Sequence, residues 1–95
     1  MKIITQKSVQ AFNNNKAIKL SNTEVRVEEG KTKLFLFGNL IAVKEGGVLK
    51  VSNAGWDSNT TKERLNALDN VHIKQKNFQW YLNGEEWNGA WRVIN

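Results

Sequence analysis

The chain has no cysteine and no proline, and its 95 residues include one histidine, one methionine and one tyrosine. Each absence closes a route. Without cysteine there is no disulfide framework, no thiolate nucleophile and no cysteine-based zinc site, which fits a reducing compartment. Without proline nothing marks a linker or domain boundary, and no internal repeat or low-complexity segment interrupts the sequence. No run approaches the ~20 apolar residues that cross a bilayer. Met1-Lys2-Ile3-Ile4 gives way at once to Thr5, Gln6 and Lys7, so no secretory apolar region is expected. The expectation is a cytoplasmic protein with no membrane partner.

What is present describes one small globular domain over residues 1–95. Hydrophobic residues make up 40% and charged residues 24%, and four Trp with four Phe supply bulky core material. A net charge of +5 creates a field that an anionic partner would feel, although the same excess also serves solubility.

Periodicity gives an α+β class: an antiparallel sheet of five to seven strands with one short helix packed on it. Val9 and Phe12, three apart, mark a possible second helix within Thr5 to Lys16, ended by Asn13-Asn14-Asn15. From Thr23 the period becomes two, with Val25 and Val27 alternating with charges. Leu34-Phe35-Leu36-Phe37 is apolar on both faces and reads as a central strand. Glu29-Gly30-Lys31, Gly38-Asn39 and Glu45-Gly46-Gly47 punctuate a meander through Leu40-Ile41-Ala42-Val43 and Val48-Leu49-Lys50-Val51.

Thr60 and Glu63 match a capping box, so a helix is expected over Thr61 to Leu68, with Leu65 and Leu68 docking on the sheet. Val71 and Ile73, then Phe78, Trp80 and Leu82, form a second hairpin about a turn at Gln75-Lys76-Asn77. Asn83-Gly84 leads into a strand at Glu86-Trp87, and a last strand runs from Ala90 to Ile94.

The combination Ser21-Asn22-Thr23-x-Val25-x-Val27, Leu36-x-Gly38-Asn39-Leu40-Ile41-Ala42, Asn53-Ala54-Gly55-Trp56, Thr60-Thr61-Lys62-x-Arg64-Leu65-Asn66 and Trp80-Tyr81-Leu82-Asn83-Gly84-x-x-Trp87-x-Gly89 resembles a family of small tailed-phage proteins of unknown function. The resemblance covers about three quarters of the chain. It implies a phage origin and action in the infected bacterium or the virion, and it carries over no activity.

Catalytic chemistry is hard to assemble from these residues. His72 would act as a general base only if a hydroxyl or carboxylate converged on it, and otherwise reads as a sheet-face histidine. Glu85 and Glu86 are adjacent, so a strand sends them to opposite faces and denies them a facing carboxylate pair. Asp57, Asp69 and scattered Glu lack metal-ligand spacing, and Gly46-Gly47 lacks the Lys-Ser/Thr of a phosphate loop. No enzyme, metal or cofactor is expected.

Binding is better supported. His72, Lys74 and Lys76 alternate away from Val71 and Ile73, and Tyr81 away from Trp80 and Leu82. Lys50 and Arg92 are expected to extend the same outward face. Such a surface suits nucleic acid, with Lys50, Lys74, Lys76 and Arg92 on phosphates and Tyr81 stacked on a base; its ordinary alternative is a solvated sheet face. The second reading is a protein-binding effector, such as a stoichiometric inhibitor of a host or defence protein, or a minor virion component. Trp56 and Trp87 would be its anchors if they do not simply cap the core. Either form could work as a monomer or small homo-oligomer.

Overall fold

The computed structural model describes residues 2–94. Helix α1 (Ile3–Asn13) buries Thr5, Ser8, Val9 and Phe12, the i, i+3, i+4, i+7 stripe of an amphipathic helix. It ends as the asparagine run anticipates. Asn15 takes a positive φ of 56°, its N–H donates to the Phe12 carbonyl, and the Lys16 N–H donates to the Ala11 carbonyl, which together form a Schellman cap with Asn at the left-handed position. The Lys44 ammonium donates to the Phe12 and Asn13 carbonyls at 2.8 and 3.2 Å. Its desolvation there holds its pKa below the ordinary lysine value.

Strands β1 (Ile18–Leu20), β2 (Thr23–Glu28), β3 (Lys31–Leu36), β4 (Asn39–Glu45) and β5 (Val48–Val51) form an antiparallel meander, and β9 (Arg92–Val93) returns from the far end of the chain to pair with β5. Glu29-Gly30, Phe37-Gly38 and Gly46-Gly47 are two-residue connections with both residues at positive φ, the primed turn that matches strand twist. Leu34 and Leu36 of the central strand point into the core. Phe35 points outward, with the Arg26 guanidinium 4.4 Å from its ring centre. The register between β3 and β4 slips after Leu34, leaving Ile41 unpaired. That bulge lets Ile41 and Ala42, adjacent in sequence, both be buried.

Helix α2 (Asn59–Asn66) begins two residues before the expected start, and the cap is not the expected pair. The Ser58 hydroxyl accepts from the Thr61 N–H at 3.2 Å, the side-chain cap of a helix N-terminus. Glu63 turns away from the cap. Its carboxylate accepts from the Thr5 hydroxyl at 2.9 Å and from Arg64 at 2.6 Å, and the Thr5 bond first, then Lys2 and Arg64, hold its pKa below 4.5. Arg64 itself is only 2% exposed, with further bonds to Thr5 and Thr23 at 2.6 and 3.1 Å. It therefore ties α2 to α1 and to β2 through the core, while Leu65 and Leu68 are buried as expected.

The α+β class and both helices agree with the sequence reading, but residues 73–86 build a separate sheet instead of extending the first, which of the later strands only β9 joins. Strands β6 (Ile73–Lys76), β7 (Gln79–Leu82) and β8 (Glu85–Glu86) form this separate sheet. One of its links to α2 is a side-chain amide. Asn66 accepts from the Ile73 N–H at 2.6 Å and donates to the Ile73 carbonyl at 3.1 Å, filling the edge of β6 as a neighbouring strand would. One contiguous core runs from Phe12 through Leu34, Val51 and Leu65 to Leu82 and Trp80.

Candidate functional site

In the small sheet Lys74 lies opposite Tyr81 and Lys76 opposite Gln79. These four residues share the outward face, while Ile73, Trp80 and Leu82 are buried. This part of the expected basic face is present. His72 is exposed just before it, its N–H donating to Asn83 Oδ1 and its carbonyl accepting from the Asn83 N–H, both at 2.8 Å. Among the described residues its imidazole makes no hydrogen bond.

Lys50 and Arg92 do not join that face. Both belong to the large sheet, where Lys50 pairs with Val93 and Val51 with Arg92, so the two cations project to opposite sides. Lys50 stands on the outer face in a cross-strand row with Arg26, Lys33, Val43 and Val93. Arg92 lies on the side of buried Val51 and reaches Glu85 of the small sheet at 3.4 Å. There it forms a solvent-exposed ion pair, away from the face of Lys74 and Lys76.

Phe78 is a second departure. Its spacing from Trp80 and Leu82 reads as a core position, yet the β6–β7 connection is Asn77-Phe78, with φ of 52° and 67°, and Phe78 is 96% exposed. A primed turn of this kind usually carries Asn-Gly; a phenylalanine in the left-handed region is strained. The only local signal was the Asn at 77. Lys62 of α2 approaches from the other side of β6, donating to Gln75 Oε1 at 3.2 Å. A shallow groove along this edge is lined by Lys62, Asn66, Lys74, Gln75, Asn77 and Phe78 and holds no carboxylate in its wall.

The two tryptophans of the alternative reading part company. Trp87 is 3% exposed, its ring 6.2 Å from that of Trp80, and its Nε1–H donates to the Ala90 carbonyl at 2.8 Å. It is core, not an anchor for a partner. Trp56 is 60% exposed on a loop that is tightly pinned. The Ala54 N–H donates to Ser52 Oγ, and the Gly55 N–H to Asn53 Oδ1. The Gly89 carbonyl accepts from both the Ser52 hydroxyl and the Asn53 N–H, at 2.9 and 3.0 Å. Gly89 has φ +92°, and a Cβ there would collide with the Asn53 side chain, so the position requires glycine. The Asn53-to-Trp56 and Trp87-x-Gly89 segments, far apart in sequence, are thus one structural unit.

Beside Trp56 lies an element the sequence reading missed. Phe37 sits in the β3–β4 turn at φ 52° and is 67% exposed, because the strand to which its apolar run assigned it ends at Leu36. Phe37 and Trp56, with Leu36 and Ile41, line a cleft of about 460 Å³. Among the described residues no group of three or more His, Asp or Glu is placed to hold a metal ion. No described helix is long and apolar enough to cross a membrane.

Comparison with known proteins found no match among curated proteins and none among solved structures. The family model described as Kyanoviridae Gp96 protein, by contrast, matches residues 1–92. That span takes in both helices, the meander, the small sheet and the Asn53–Gly89 pin, and with it the chain belongs to the Kyanoviridae Gp96 protein family, a family of phage proteins.

Proposed function

We propose that this phage protein acts by binding single-stranded nucleic acid, without catalysis, through the outward face and tip of its small sheet. The observation that carries the reading is Phe78: an almost fully exposed ring, held in a strained backbone conformation, at the end of a hairpin that also presents Lys74 and Lys76. Local strain of this kind persists where a function uses it. An exposed ring offers a stacking surface to any base, and the lysines offer positive charge to the adjoining phosphates. Lys62 adds a third cation across the β6 edge, and Tyr81, half-buried opposite Lys74, supplies a second ring. Lys50, on the outer face of the large sheet, contributes to the general positive field; Arg92 supports the small sheet through Glu85.

Fluorescence anisotropy with short single-stranded DNA and RNA tests this. Binding is expected at low salt, weakening steeply as salt rises because phosphate contacts release counterions. Absence of retention at low salt would refute the proposal.

A further inference from the structure

We infer that the cleft between Phe37 and Trp56 is a pocket for one unpaired nucleobase, separate from the basic edge of the small sheet. Two different segments each contribute one exposed aromatic ring to this cleft, Phe37 from the β3–β4 turn and Trp56 from the pinned loop. Flat aromatic faces reward a flat ligand, since ring stacking adds to simple area burial. Leu36 and Ile41 give it an apolar floor, and its volume of about 460 Å³ falls within the range of small-ligand sites.

The polar groups at its margin sharpen the choice of ligand. Ser58 and Thr61 are committed to each other and to the helix cap at 3.0 and 3.2 Å. Two groups keep unused capacity among the described residues, the Thr60 hydroxyl and Asn39 Oδ1. They are uncharged and include both donors and acceptors. An aliphatic side chain would leave both unanswered, whereas the edge of a base presents matching acceptors and donors. No charged side chain lines the cleft, so the part of the ligand that enters is neutral and a phosphate stays outside. That division fits a nucleotide, with its base in the cleft and its phosphate toward solvent.

The loop from Asn53 to Ser58 separates this cleft from Phe78. Trp56 lines the cleft, Gly55 and Asp57 share a separate depression with Phe78, and Asn53 borders both. A strand stacked on Phe78 therefore has a second aromatic site one loop away. The inference rests on the nucleic-acid reading, and the test separates the two.

Amide NMR spectra would be recorded during titration with the four nucleoside 5′-monophosphates to millimolar concentration, on the wild-type chain and on Trp56→Ala and Thr60→Val. Shifts at Phe37, Asn39, Asn53 and the Trp56 indole are expected, and Trp56→Ala should weaken the monophosphates by about 5- to 150-fold, the loss of one base–ring stack. Trp56 is exposed and Thr60 only partly buried, so unfolding curves should confirm that both variants remain folded. Shifts confined to Lys74, Lys76 and Tyr81, with oligonucleotide binding intact in Trp56→Ala, would overturn the pocket and leave the small-sheet reading standing. A protein partner lost in Trp56→Ala, with no nucleotide-induced shift at the cleft, would overturn it in favour of a protein contact.

Discussion

Replacing Phe78 with glycine should make the protein more stable and a poorer binder at once. A side chain in the left-handed region costs about 1–2 kcal/mol, and glycine removes that strain at φ 67°. Glycine also frees the unfolded chain, which takes back about 0.4–1 kcal/mol. The ring is 96% exposed, so almost none of the roughly 1.5–3 kcal/mol gained by burying such a side chain is at stake. The net is a gain of about 0.5–1 kcal/mol, or a rise in Tm of about 3–6 °C for a domain of this size. Thermal and urea unfolding give the stability, and anisotropy with a single-stranded oligonucleotide gives the binding. The binding loss should reach about 1–3 kcal/mol, one base–ring stack. A fall in stability would refute the strain argument; a gain in stability with unchanged affinity would remove Phe78 from the binding surface.

Lys74→Ala combined with Lys76→Ala should lower the slope of log affinity against log salt by about 1.4, two phosphate contacts on a single strand; an unchanged slope would mean that neither lysine touches phosphate. Gly89→Ala should destabilise by more than about 2 kcal/mol in urea unfolding, since a Cβ meets the Asn53 side chain and φ is +92°. Arg64→Met should cost about 2–3 kcal/mol, toward or below the low end of a broken buried pair because Glu63 can turn to water; a near-neutral result would show that the buried clamp is dispensable. Glu63 has a folded pKa below 4.5, so its contribution is complete above the unfolded value and is lost as pH falls through the folded one. Glu63→Gln should flatten that acid limb when stability is measured between about pH 2 and 6, with the neutral limb keeping its slope.

The sequence made the elements legible and the surfaces much less so. Strand and turn order followed from period two and from glycine pairs, and α1 from Val9, Phe12 and the asparagine run. Faces within one strand were also legible, which is why Lys74 and Lys76 emerged together. Across strands the period is silent: Lys50 and Arg92 each alternate with apolar residues, yet a pairing of Lys50 with Val93 places them on opposite sides. Phe37 and Phe78 were misplaced for a related reason. An apolar residue next to a strand extends the pattern, and only the two-residue turn geometry shows that the strand has already ended. Arg64 had no local signal at all. Its helix reads Thr-Thr-Lys-Glu-Arg-Leu-Asn, a solvated charge pattern, and partners such as Thr5 and Thr23 lie 59 and 41 positions away. Trp87 hid in the same manner, flanked by Glu86 and Asn88 while its own ring packs on Trp80.

The return of β9 to the edge of β5 sets an order of events during synthesis. Among themselves strands β1 to β5 pair in sequence order, so their loops close at small entropic cost and the meander can begin to form while the rest of the chain is still being made. Val51 and the Ser52-Asn53 anchor then wait for Arg92 and Gly89. Until those residues emerge, the β5 edge is open, and the Trp56 loop lacks the carbonyl that holds it in place. The shape of that loop is therefore acquired last, and a ribosome stalled before Gly89 has emerged would carry a nearly complete sheet without its finished aromatic cleft. Limited proteolysis of stalled nascent chains should find cleavage around Trp56 until Gly89 has left the exit tunnel.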